Sequence, residues 1–322
     1  MTSDLRPKSI GDIFDESFDL YKRNFSLFAG IVAIVHIPAQ IAFAFAVLST
    51  DIDKMSGTSR SPEQVEMVFA ILGILMLASI AYHFLFVIHS GALSIAVTER
   101  ILGRPITIGE AYRRVRPKLF KLIVTWAIID VLVTVVGVVV IFGVSIVMSI
   151  ILAAFMGASG GSQAGTALGT AIVIVAVVAV FLACMAVLAW SGVFATHAVT
   201  IEGVGYFNAL SRNWNLLKGR FWAPFWTTSL LALFVFGLNT AIQASMEFIF
   251  SLTLYSWMPL SRLTHHIIEQ TASTIISLFL MPFMIVTLTV LYLDQRVRKE
   301  GFDIEVELYE REARTAALEA AG

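Results

Sequence analysis

Long apolar stretches alternate with short polar ones along the chain. Six of them, at 27–50, 66–98, 121–152, 168–200, 222–250 and 263–293, exceed the roughly 20 helical residues that cross a hydrocarbon core of about 30 Å. Several are long enough to require tilt or extension beyond the bilayer. A membrane β-barrel would show segments of about ten residues with alternating polarity, which this pattern is not. The pattern predicts an all-α polytopic membrane protein with six transmembrane helices. Residues 1–26 lead in, 27–293 form the membrane domain and 294–322 form a tail. The first apolar run starts behind an acid-containing segment and is too long for a signal-peptide core, so it reads as a permanent span.

The polar segments before spans one, three and five look alike: SIGDIFDESFDLYKRNF from Ser9, TIGEAYRRVRPKLF from Thr107 and YFNALSRNWNLLKGRF from Tyr206. Ile10-Gly11-Asp12 matches Ile108-Gly109-Glu110, and Leu20, Lys22 and Phe25 match Leu216, Lys218 and Phe221 at equal spacing. In the first segment, Ile10, Ile13, Phe14, Ser17, Phe18 and Tyr21 recur at helical spacing, while Asp12, Asp15, Glu16 and Asp19 face away. Each segment therefore predicts an interfacial amphipathic helix. Together they predict a three-fold repeat of one such helix plus a hairpin of two spans. Ser9 with Asp12 is a capping-box-like start, Pro117 separates the second surface helix from its span, and Phe221, Trp222, Phe225 and Trp226 form an aromatic belt. The stretch 157–169 is rich in Gly, with Gly161, Gly165 and Gly169 four apart; it reads as an outer loop or a close-packing seam.

Composition narrows the class. Of 322 residues, 58% are hydrophobic and 14% charged, and mean hydropathy is +0.84. Soluble domains run near 45–50% and about 25%, so a soluble enzyme, a nucleic-acid binder and a disordered chain are excluded. The single cysteine, Cys184, excludes an internal disulfide framework. The net charge of −1 matters less than its placement. Segments 1–26, 99–121, 201–221 and the part after 293 hold four, seven, three and five Lys or Arg, whereas 51–65, 153–167 and 251–264 hold two, none and one. The positive-inside rule puts both termini in the cytoplasm.

Ionisable groups inside the apolar stretches are candidate sites, because burying them in lipid is costly. Counted from the cytoplasmic end, His36, His89 and Asp130 all lie roughly 14 Å deep at 1.5 Å per residue, with His83 and Tyr82 one to two turns deeper. A His–Asp pair there suits a proton or a polar headgroup, or else an interhelical hydrogen bond. Nearer the outer face, Asn239, Gln243 and Glu247 share one helix face, as do His265 and Glu269, with His266 adjacent. Two histidines and two carboxylates are the donor types zinc uses, but no HExxH run is present, and hydrogen bonding between spans is the favoured reading, with no metal and no cofactor. Arg113, Arg114, Arg116 and Lys118 form a basic cluster that fits either the topology signal or anionic-lipid headgroups.

No nucleophile elbow, phosphate-binding loop or dinucleotide fingerprint occurs. The lead-in RPKSIGDIFDESFDLYKRNFSLFAGIV, the middle IEGVGYFNALSRNWNLLKGRFW and the exit LYLDQRVRKEGFDIEVE resemble the bacterial glycerophosphoryl diester phosphodiesterase membrane-domain family over about residues 5–310. The match is most specific at Asp294, Arg296, Arg298, Glu300, Gly301, Phe302 and Asp303. The catalytic barrel fused to this domain in some relatives is absent, along with its His-Arg-Gly start. The resemblance implies a six-helix module of the bacterial inner membrane and supplies no activity. Independently of it, Arg296, Arg298 and Lys299 read as membrane-boundary anchors, Gly301 as a helix stop, and the acidic tail as a solvated face or a partner for 113–121. The expectation is a non-catalytic membrane scaffold or accessory protein, with a membrane-protein partner or a second copy and no nucleic acid. A transporter or lipid-handling protein is the alternative, and an intramembrane metal-dependent enzyme is third.

Overall fold

The computed structural model describes residues 6–48, 62–158, 167, 169–177, 192–257 and 262–321. Every regular element among them is helical. In chain order they are α1 (Ile10–Arg23), α2 (Phe25–Leu48), α3 (Pro62–Ile101), α4 (Ile108–Val115), α5 (Leu119–Ala158), α6 (Ala195–His197), α7 (Phe207–Leu217), α8 (Trp222–Trp257), α9 (Arg262–Glu300) and α10 (Phe302–Ala321). A 3-10 turn, Arg116–Lys118, joins α4 to α5, and a wide π turn, Ala198–Glu202, extends α6. Among the described residues, five helices are long and apolar enough to cross a membrane. Of the expected span 168–200, residues 169–177 are helical, whereas 168 and 178–191, with Cys184, lie outside the described set, as does most of the 157–169 stretch.

All three expected lead-in helices are present, as α1, α4 and α7, and each precedes a long apolar helix. Their ends follow from local chemistry. Ser9 accepts the Asp12 N–H through its hydroxyl, and the Asp12 carboxylate accepts the Ser9 N–H at 2.9 Å, a reciprocal capping box. Thr107 caps α4 by accepting the Glu110 N–H at 3.3 Å. Helix α7 starts differently: Tyr206 precedes it at φ 62°, with no side-chain cap, and its N–H donates to Thr125 Oγ1 at 2.7 Å. Gly301, at φ 67°, separates α9 from α10, as its left-handed freedom allows.

Packing is concentrated where the lead-in helices sit. Phe28 and Ile31 on α2, Leu93 on α3, Leu122 on α5, Leu216 and Leu217 on α7, and Leu291 and Tyr292 on α9 are all buried there. Helix α3 approaches its neighbours with a small-residue face. Ser90, Ser94 and Thr98 are buried and turn their hydroxyls back to carbonyls one turn earlier. A Cβ on Gly91 would lie 3.0 Å from Leu122 and from Thr200. Small residues at such crossings let helix backbones approach closely.

The far halves of the same helices are different. Leu77 on α3, Val139 and Phe142 on α5, and Leu233 and Phe236 on α8 are largely exposed. Helix α3 has 40 residues, about 60 Å at 1.5 Å per residue, so the packed end and the apolar far end are separate zones of one bundle.

Candidate functional site

The densest polar constellation is at the packed end. Glu202 closes the π turn, Arg212 lies on α7, and Tyr292, Arg296 and Glu300 lie on α9. The Arg212 guanidinium donates to Glu202 Oε2 at 2.6 Å and Oε1 at 2.9 Å, and to Glu300 Oε2 at 2.7 Å, with a further bond to Glu300 Oε1. Hydrogen bonding to Glu300, then to Glu202, raises its pKa above the ordinary arginine value. Arg296 approaches Glu202 at 3.4 Å and Glu300 at 3.2 Å, and it stacks 4.1 Å over the Phe302 ring. The Tyr292 hydroxyl also donates to Glu202. Two arginines thus face two carboxylates, bidentate on the Arg212 side, and Arg296 also approaches Glu305 of α10 at 3.5 Å.

A second set ties the start of the chain to the same helix. The Lys8 N–H donates to Asp294 Oδ1 at 2.7 Å, Arg298 Nε donates to Asp294 Oδ2 at 2.9 Å, and Arg298 Nη2 donates to the Lys8 carbonyl at 2.6 Å. Lys8 Nζ pairs with Glu16 at 3.0 Å. Arg296 and Arg298, expected as boundary anchors, are here cross-links between segments distant in sequence.

The polar groups within the long helices form two sets, one around His36, Tyr82, Gln40 and His89 and one of His83 with Asp130. Tyr82 Oη lies 3.0 Å from His36 Nδ1. His83 Nε2 approaches Asp130 Oδ2 at 2.9 Å, a close contact without good hydrogen-bond alignment, since that nitrogen otherwise has no partner. His89 is turned to the Leu85 carbonyl at 2.9 Å and to Met281 Sδ at 3.2 Å. Of the three groups at equal depth, His36 and His89 lie near enough to interact electrostatically, while Asp130 meets His83 instead. Two further contacts were not anticipated: His197 Nε2 with Thr289 Oγ1 at 3.1 Å, and Trp126 Nε1 donating to Thr196 Oγ1 at 2.8 Å.

At the far end, Gln243 bonds to Asn239 on α8. Gln243 and Glu247 line a cavity of about 250 Å³ against Ala272, Ser273 and Ile276 of α9. The backbone of His265, His266 and Glu269 belongs to α9, but their side chains lie outside the described residues. Among the described residues, no three His, Cys, Asp or Glu side chains are placed to hold a metal ion.

The basic cluster is largely engaged. Arg114 bridges Glu99 at 2.8 Å and Glu110 at 2.6 Å, Arg113 approaches Glu110 at 3.9 Å, and Lys118 donates to the Thr200 carbonyl. Arg116 is exposed. Glu202, Arg212 and Tyr292 were not singled out from the sequence. Their available signal was an acid and a base ten residues apart, Glu202 and Arg212, flanking the start of the third lead-in segment.

No curated protein and no solved structure matches the chain. The family model described as Domain of unknown function (DUF7847) matches residues 9–295. The chain belongs to that family.

Proposed function

From DUF7847 membership as the premise, we propose that the protein is a non-catalytic multi-pass scaffold or accessory component of a bacterial inner membrane. It has six spans in three helix-plus-hairpin units and both termini in the cytoplasm. The carrying observation is the ion-pair cluster of Glu202, Arg212, Arg296 and Glu300. It engages every one of its ionised groups in holding the third lead-in helix to the end of α9. A catalytic or transport centre instead needs groups left free to change partner or protonation. The paired placement of His36 with Tyr82 and of His83 with Asp130 supports the same reading. The resemblance to the glycerophosphoryl diester phosphodiesterase membrane-domain family is part of this proposal. Asp294, Arg296, Arg298 and Glu300, which carry it, are the residues that fasten the packed end.

The test is mild-detergent purification of the full chain from its native membrane, with chemical cross-linking beforehand. The proposal expects a stoichiometric membrane-protein partner or a second copy, retained equally by the wild type and Asp130→Asn. A transporter would instead lose its phenotype rescue with Asp130→Asn while folding normally, and that result would overturn the scaffold reading.

A further inference from the structure

A cavity of about 180 Å³ lies where the start of α1, the start of α8 and the end of α9 meet, lined by Lys8, Ser9, Arg220, Asp294, Gln295 and Arg298 among others. We propose that it is a binding site for a hydroxyl-bearing phosphate, the chemistry shared by a glycerophosphate lipid headgroup and a free polyol phosphate.

Three observations carry this. First, Gln295 is 1% exposed, and its Oε1 has no hydrogen-bond partner, while its Nε2 donates to Asp294 Oδ2 at 3.2 Å. Buried acceptors in folded proteins are nearly always satisfied, so this oxygen calls for a donor such as a hydroxyl. Second, the lining charges are not all engaged. Asp294 is neutralised by Arg298 and also accepts the Lys8 N–H, and Lys8 Nζ is neutralised by Glu16. Arg220 lines the same cavity and makes no ion pair among the described residues. Its planar fork matches a phosphate. Third, Arg220 directly precedes the packed rings of Phe221, Trp222, Phe225 and Trp226. Such aromatic belts mark the headgroup level of a bilayer.

The inference goes beyond the scaffold reading and stands if that reading fails, since binding here needs no protein partner. The test uses the full chain in mild detergent. Native mass spectrometry counts retained phosphatidylglycerol against phosphatidylcholine, and calorimetry measures free glycerol phosphate. Wild type is expected to prefer phosphatidylglycerol at least tenfold if the source is lipid, or to bind glycerol phosphate if the source is soluble. In either case Arg220→Gln lowers binding about tenfold. Gln295→Met lowers it for hydroxyl-bearing phosphates but not for phosphatidic acid, which separates the hydroxyl contact from charge. Arg116→Gln, exposed elsewhere at the same end, leaves binding unchanged. Equal retention by wild type and Arg220→Gln overturns the proposal. So does an equal loss in Arg116→Gln, which indicates diffuse charge attraction, or the absence of binding to either probe.

Discussion

Leu93 and Leu77 are on the same helix, yet Leu93 has no exposed surface and Leu77 is 68% exposed. Around Leu93 the helix packs against α2, α4 and α9, in a region fastened by ion pairs and buried hydroxyls. Around Leu77 the helix presents an apolar surface too extensive for water. One end of the bundle is therefore specified by the protein's own side chains. The other is specified by what surrounds it, and in a bilayer apolar contact with lipid gives no drive for helices to pack. A single hydropathy profile covers both zones and does not distinguish them.

The sharpest way to break that comparison is to make the same substitution in both zones. Leu93→Ala removes a fully buried side chain and is expected to cost about 4 kcal/mol. Leu77→Ala should fall within about 0.5 kcal/mol. Equilibrium unfolding in mild detergent measures both, and equal losses would dissolve the distinction between the two ends. Arg212→Ala comes next, at about 2 kcal/mol, because it removes the bidentate guanidinium and leaves the partly exposed Glu202 and Glu300 with only Arg296, at 3.4 and 3.2 Å, as counter-ion. A loss below about 1 kcal/mol would reduce the cluster to an ordinary surface pair.

The elements that were legible in the sequence are those defined by nearby residues. The Ser9 cap, the lead-in helices and the Gly301 stop each depend on positions within four residues of one another. The sites were less legible. Depth along a helix says nothing about direction around it. His83 and His89 are six residues apart, about 240° around the axis at 3.6 residues per turn, so they face different neighbours and only one can meet Asp130. The Arg212–Glu300 pair spans 88 residues. Nothing in either local sequence marks it, because the partnership exists only once α7 docks on α9. The exit motif was visible as a charge pattern, but its role as a fastener was not, since boundary anchors and cross-links use the same residue types.

The smallest expected effect probes whether the packed end also depends on its caps. Ser9→Ala removes the hydroxyl that accepts the Asp12 N–H and should cost about 1 kcal/mol, as N-cap losses typically do. The cap has a pH signature as well. Hydrogen bonds from the Ser9 backbone N–H and hydroxyl hold the Asp12 carboxyl below its ordinary value of 3.8. A depressed carboxyl contributes stability that is fully present above the unfolded-state value and is lost as pH falls through the folded one. The stability difference between wild type and Asp12→Asn should therefore be flat from neutral pH down to about 4 and shrink below it. Leu77→Ala, in the other zone and far from any titrating group that it contacts, should show no such change. A difference that instead grew on acidification would mean that the Asp12 carboxylate destabilises α1, and the cap would not belong among the fasteners of the packed end.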